Sequence, residues 1–387
     1  MKTIMIVYGT RPEGIKIAPL VLALSRAHSL KPLVVSTRQH TDMLDQVNTF
    51  FGITPDVTLD VFRSNPSLNL LSARILDQLD PLLVEHAPDA LLVQGDTTTV
   101  MAAGIAAFYR RIPLVHLEAG LRSGNIMSPY PEEANRKIVS QIAALHLAPT
   151  PEARDNLLGE HVRPENIAVT GNTVIDALHY TVSQDVPFTD PSVQKVVDSG
   201  RRILLVTSHR RESIGEPMQH TARALAQIAD LFPEDVILFP IHKNPAVRDI
   251  FVPALDPKPN VVFTEPLDYP QFAHALDASH IVLTDSGGVQ EEAPSLGKPV
   301  LVLRDNTERP EAITAGTVKL VGTDTERIVF EVTRLKNNPD TYRAMATAVN
   351  PYGDGHATER SIAAIEQLLG IGTRKPDFAP HVVPRVA

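Results

Sequence analysis

The chain has 387 residues, with 36 Lys and Arg against 45 Asp and Glu, 14 His, and neither Cys nor Trp. The absence of Cys excludes disulfides, thiolate metal sites and cysteine nucleophiles; the formal charge of −9 argues against a chain whose main partner is a nucleic acid. Hydrophobic residues at 43% and charged residues at 21% fit a globular chain, and the length fits two domains.

The first residues, Met1 to Gly9, form a short apolar run ending at glycine. They lack the long apolar region and cleavage site of a signal peptide, and read as a buried first strand. No stretch approaches the ~20 apolar residues of a membrane span, so the expectation is a soluble cytoplasmic protein. Further strands are expected at 33–36, 90–93, 113–117, 145–147 and 167–170. Helical patterns lie between them; Leu68, Leu71, Ile75, Leu79 and Leu82 recur at three- and four-residue spacing and predict one apolar face. The pattern lapses into a polar stretch around 180–199 and restarts with strands at 202–206, 236–239, 261–263, 281–283 and 300–303. Alternating strands and helices predict parallel sheets of right-handed βαβ units. The expected organisation is an N-terminal Rossmann-like domain at 1–178 and a second at 179–355. A last helix at 356–371 is expected to pack back on the first domain, and the tail at 372–387 to be loosely ordered.

In doubly wound sheets, ligands sit beyond the carboxyl ends of the strands, so residues following the strands carry the chemistry. The first strand runs into Gly9-Thr10-Arg11-Pro12-Glu13-Gly14-Ile15-Lys16, which is not a dinucleotide fingerprint. Backbone N–H groups, the helix dipole, Arg11 and Lys16 could hold a phosphate there, or the segment is a capped helix with solvated charges. Asp96 and Thr97 follow the next central strand, where Asp is either a helix cap or a catalytic group. Glu118 interrupts an apolar run where the chain leaves the sheet; it needs a function or a partner, with Arg122 a candidate. Pro131 predicts a helix start with Glu132 and Glu133 in its first turn and Arg136 beyond. Asp96, Glu118 and Glu132 count as a set, because neighbouring acids with different environments can serve as acid and base.

In the second half His209, flanked by Arg210 and Arg211, follows a buried strand and suits diphosphate binding or proton transfer. His242, Lys243 and Asn244 repeat the theme after the next strand. Asp285-Ser286-Gly287-Gly288 lies between a strand and a helix, exposing N–H groups for an anion, with Glu292 a turn further on to accept from ribose hydroxyls. Arg304 and Arg309 follow a later strand. Metal-ligand spacing is absent.

The stretches GTRPEGIKIAP, QGDTTT, HLEAGLRSG, SPYPEEANR, TGNTVIDAL, SHRRES, DSGGVQEEAPSLGKPV and NPYGDG, in this order, resemble the bacterial non-hydrolysing UDP-N-acetylglucosamine 2-epimerase family. The resemblance runs from residue 9 to about 355. It implies two Rossmann-like, doubly wound parallel-sheet domains in a glycosyltransferase-B-like arrangement with an interdomain cleft. It also implies cytoplasmic homodimers, no cofactor, and interconversion of UDP-GlcNAc and UDP-ManNAc to supply surface polysaccharide synthesis. The implied chemistry eliminates UDP to give 2-acetamidoglucal and adds it back after reprotonation on the opposite face of C2.

By similarity Asp96, Glu118 and Glu132 form the acid/base set, with His209 near the diphosphate. Arg11, Lys16, Arg136 and His242 contact the nucleotide-sugar, and Arg309 completes the pocket. Ser286, Gly287 and Gly288 take the diphosphate, Glu292 the ribose, and Phe272 lies by the uracil. Which acid removes the proton and which returns it stays open. Many bacterial members also have an activating second UDP-GlcNAc site, and Thr41, Asp42, Asn65 and Pro66 depart from its pattern, so activation is expected to be weak or absent. A glycosyltransferase, a hydrolysing relative and a nucleotide-sugar-binding protein are the competing readings. The three strand-end acids count against the first and last; the sequence separates the hydrolase least well.

Overall fold

The computed structural model describes the chain except His40, Ser64, Asn65, Glu308 and residues 381–387, and the side chains of Thr41 and Asp42. Two compact units follow from its contacts: Met1–Ala177 with Tyr352–Ala379, and Leu178–Pro351.

The first unit holds seven strands: β1 (Lys2–Tyr8), β2 (Leu30–Ser36), β3 (Val57–Thr58), β4 (Ala90–Gln94), β5 (Leu114–Leu117), β6 (Leu145–Ala148) and β7 (Ile167–Val169). They pair in parallel, in the order β3-β2-β1-β4-β5-β6-β7. Ile4 to Tyr8 are all fully buried, as expected for a parallel strand covered on both faces. One face packs Met5, Val7, Leu91 and Val93 against the helices Leu68–His86 and Thr98–Tyr109 through Leu71, Ile75, Leu79, Ala103 and Ala107. The apolar stripe differs from expectation at both ends: Leu68 is exposed, and Leu83 rather than Leu82 is fully buried. The buried residues Leu71, Ile75, Leu79 and Leu83 recur every four positions, whereas Leu68 is the first residue of the helix and stands at its exposed end.

The second unit holds β8 (Ile203–Thr207), β9 (Val236–Pro240), β10 (Val261–Thr264), β11 (Ile281–Thr284), β12 (Val300–Val302) and β13 (Val318–Leu320). They are parallel in the order β10-β9-β8-β11-β12-β13. Leu204, Val206, Ile237, Phe239, Ile281 and Leu283 pack on the helices Glu216–Leu231, Pro245–Leu255 and Thr325–Asn337 through Leu225, Phe251, Ile328 and Val332. Both sheets have the order that reverses beside the first strand, so each has a switch point: between β1 and β4, and between β8 and β11. The expected class, a Rossmann-like doubly wound parallel sheet in each half, is what the two units show.

The helix Ala357–Leu368 belongs to the first unit, where Asp176 accepts hydrogen bonds from Ala357 N at 3.2 Å and Thr358 N at 2.8 Å. Described residues after Gly372 bond to β7. Asp377 accepts from Val169 N at 3.1 Å, Phe378 N donates to Val169 O at 2.7 Å, and the Phe378 ring is buried. This extends the hydrogen bonding of the short edge strand β7. Among the described residues, no helix is long and apolar enough to cross a membrane.

Candidate active site

The turn after β1 is closed by its own glutamate. Thr10 caps the helix Arg11–Leu24, while Glu13 reaches back to accept from Gly9 N at 2.7 Å and Thr10 N at 2.8 Å. Its other oxygen accepts from the Thr97 hydroxyl at 2.6 Å. Burial pushes the Glu13 carboxyl above its usual range despite these bonds. The N–H groups that the sequence offered to a phosphate are therefore already taken. Arg11 remains, partly exposed and without a side-chain hydrogen bond or ion pair among the described residues. Lys16 turns instead to Glu118.

After β4 the backbone takes a left-handed step at Gly95, with φ of 82°. Thr97, rather than Asp96, caps the following helix. Asp96 is thus available to Arg136, which donates to it from Nε at 2.9 Å and from Nη2. The same guanidinium holds fully buried Glu133 at 2.9 Å, and Asn135 Nδ2 ties down the Asp96 carbonyl at 2.8 Å.

Glu118, directly after β5, has a φ of 63°, an uncommon conformation for a residue with a side chain and of a kind that clusters at functional sites. Its largely buried carboxylate accepts from Lys16 and from Asn172 Nδ2, at 3.1 Å, on one oxygen and from Gln94 on the other. Arg122 is not its partner; it pairs with Glu160 at 2.7 Å and 2.9 Å. Glu132 opens the helix Glu132–Ile142, and its Oε2 is buried with no hydrogen-bond partner among the described residues. An orphaned buried carboxylate oxygen calls for an explanation in function or bound solvent.

In the second unit, Asp285 organises the switch point. Its Oδ2 accepts from His209 N at 2.7 Å, Arg210 N at 2.9 Å and Ser208 Oγ at 3.2 Å; its Oδ1 lies 2.9 Å from His209 Nδ1. Burial alone would raise this carboxyl, but the contacts with His209 and the two N–H groups bring it below its usual range. His209 keeps 41% of its side chain exposed and stacks on His242, ring centres 6.0 Å apart. His242 Nδ1 accepts from Asn244 N at 3.1 Å, and Asn244 caps the helix Pro245–Leu255.

The helix Gly287–Glu292 follows Ser286, whose side chain makes no capping bond. A Cβ on Gly287 would lie 3.9 Å from both Arg210 Nη2 and Arg309 Nη2, and one on Gly288 would meet nothing within 4 Å. Two guanidinium groups thus flank an open, glycine-lined helix start. Arg309 is also paired with Glu291. Glu292 is buried; beside it, burial and then the charge of Glu292 push the Tyr269 hydroxyl up. Phe272 is half-buried on the helix Tyr269–Ala278.

Arg11, Lys16, Asp96, Glu118, Glu132 and Arg136 therefore sit at or just beyond the carboxyl ends of the first sheet. His209, His242, Ser286, Gly287, Gly288 and Arg309 do so for the second, with Phe272 and Glu292 on its helices. Sequence reasoning assigned no role to Glu13, Gln94, Asn172 or Glu133, and took Arg210 and Asp285 only as neighbours of His209 and Ser286. Asp285 carried the signal used for Glu118, a charge immediately after a buried strand. Asn65 and the side chains of Thr41 and Asp42 lie outside the described residues.

The family model described as UDP-N-acetylglucosamine 2-epimerase matches residues 22–366. The UDP-N-acetylglucosamine 2-epimerase of Salmonella typhimurium strain LT2 is 48% identical over 370 residues, covering 94% of this chain and 98% of the relative. A solved UDP-N-acetylglucosamine 2-epimerase is 44% identical, with a TM-score of 0.90 and coverage of 98% and 100%. The Neisseria meningitidis UDP-GlcNAc 2-epimerase, solved bound to UDP-GlcNAc, is 42% identical, with a TM-score of 0.82 and coverage of 95% and 100%. Near-complete coverage at this identity places the chain among isomerases: it belongs to the UDP-N-acetylglucosamine 2-epimerase family.

Proposed function

We propose that this chain interconverts UDP-GlcNAc and UDP-ManNAc by eliminating UDP and adding it back. The observation that carries the reading is the set of strand-end acids in three different settings. Glu118 is paired with Lys16, Asp96 is held by Arg136, and Glu132 has a buried oxygen with no partner among the described residues. Acids in unlike environments are what one proton removal and one proton return require.

The C2 hydrogen of the sugar lies beside the anomeric carbon and not beside a carbonyl, so its removal alone would leave a poorly stabilised carbanion. Concerted loss of UDP avoids this. A carboxylate takes the proton, the C2–H electrons form the C1=C2 double bond, and the C1–O electrons leave with UDP. Return of UDP to C1 of the 2-acetamidoglucal, with a proton delivered to the other face of C2, gives the epimer.

The leaving diphosphate gains charge as it departs. Ser286, Gly287 and Gly288 with Arg210 and Arg309 would take it, and His209, oriented by Asp285, would assist its departure and return. Glu292 would accept from the ribose hydroxyls and Phe272 would lie by the uracil. Arg11 and His242 would complete the nucleotide-sugar contacts, with Lys16 and Arg136 acting chiefly through the acids they hold. The chain would act as a cytoplasmic homodimer, without a cofactor, supplying N-acetylmannosamine units for surface polysaccharide.

Incubation with UDP-GlcNAc in D2O tests the reading. UDP-ManNAc carrying deuterium at C2 is expected. Unlabelled product would overturn the proton chemistry, and stoichiometric free ManNAc with UDP would favour a hydrolase.

A further inference from the structure

His116 lies in the middle of the first sheet, on β5, fully buried and flanked in register by Val93 of β4 and His146 of β6. Its Nε2 is 2.7 Å from the carbonyl oxygen of Gly95, and its Nδ1 is buried with no hydrogen-bond partner among the described residues. Facing a carbonyl, Nε2 must carry the proton, so Nδ1 holds an idle lone pair. Burial pushes this imidazole down to about 4, so it stays neutral and the tautomer is fixed at ordinary pH. A buried histidine with one idle nitrogen wastes polar capacity that a leucine would not, unless the remaining bond has a use.

The Gly95 peptide shows the use. Gly95 N donates to Leu117 O at 3.0 Å while Gly95 O accepts from His116. Both bonds run to β5, the strand that delivers Glu118, and the next residue after Gly95 is Asp96. A Cβ on Gly95 would come within 3.7 Å of Glu118 Oε2, so this peptide also passes close to the Glu118 carboxylate. Two hydrogen bonds thus clamp the left-handed turn that carries one proposed acid to the strand that carries another.

We propose that His116 is a positioning residue: its Nε2–H sets the Gly95 peptide and thereby the placement of Asp96 relative to Glu118. It touches no substrate and exchanges no proton. The inference rests on the acid roles proposed above, and misplacement of an acid by a fraction of an ångström should lower turnover more than binding.

Three substitutions separate this from general packing. The Gln amide nitrogen reaches the place of Nε2, the Asn amide only that of Nδ1, and Phe fills the volume with no donor. His116→Gln should keep kcat within about threefold of the parent, whereas His116→Asn and His116→Phe should lose about 10–100-fold in kcat with KM changed far less. UDP affinity by calorimetry should be unchanged in all three, since the proposed diphosphate groups lie on the other sheet. Thermal unfolding identifies any loss due to misfolding, and kcat is compared at temperatures where each variant is folded. Equal kcat for Gln, Asn and Phe variants overturns the proposal, as does a loss in KM alone. Parent enzyme that exchanges no deuterium at C2 instead overturns the reading of the acids, and that result is separate from any difference among the variants.

Discussion

Asp285 holds His209 twice, by the backbone N–H at 2.7 Å and by the ring Nδ1 at 2.9 Å. One buried carboxylate therefore fixes the backbone of the residue and stands against the Nδ1 side of its ring, with Nε2 on the other side. Replacing Asp285 with Asn keeps the shape but removes the negative charge beside the ring. Asp285→Asn is expected to lower kcat by about tenfold to a hundredfold, with a smaller loss of UDP affinity. Steady-state kinetics and UDP titration check this; unchanged kcat would show that His209 needs no orientation.

Asp96→Asn and Glu132→Gln should each remove most turnover while UDP binding stays near parental. An acid/base group contributes about 100- to 10,000-fold in rate. Deuterium exchange at C2 adds resolution, because a variant lacking only one acid can retain exchange from one epimer and lose it from the other. A variant with near-normal rates would remove that residue from the acid set.

Lys16 and Glu118 form a largely buried ion pair whose halves are expected to fail unequally when separated. Lys16→Met leaves a carboxylate uncompensated and should destabilise the first unit by about 3–5 kcal/mol. Adding Glu118→Gln removes the charge and should recover much of that stability without restoring turnover. Denaturant unfolding of the two single variants and the double variant measures the coupling; additive losses would mean that the pair contributes no mutual stabilisation.

Acid should weaken the fold through the first sheet. Burial lowers His116 to about 4 and, with the neighbouring charges, His146 to about 3, against an ordinary 6.5. The unfolded chain then binds more protons than the folded one, so this contribution is complete above pH 6.5 and declines as pH falls through the folded values. The melting temperature should drop between pH 7 and pH 5 more in the parent than in His116→Gln, which cannot take up that proton. Identical drops would show that His116 is not one of the groups responsible.

Near-neighbour reasoning worked where chain periodicity governs and failed where the sheet brings distant residues together. The buried strands and the last helix were legible because unbroken β-branched runs and amphipathic spacing are local. The edge strands β3 and β13 were not: the first is two residues long, and the second is interrupted by Lys319. For Glu118 the basic residue four positions on suggested itself, but the chain there is not helical, so that spacing makes no contact. The actual partner, Lys16, is 102 residues away. Glu13 was not legible, because its capture of the Gly9 and Thr10 N–H groups depends on how the turn closes.

The proposed acids and the proposed diphosphate groups are mounted on sheets with separate apolar cores. Mutations that loosen or retune one sheet need not disturb the packing of the other. Natural variation can therefore adjust proton handling and nucleotide preference on independent schedules, and a donor exchange between relatives has a natural seam. Chimeras that keep the first unit of one family member and take residues 178–351 from another are the laboratory form of that freedom.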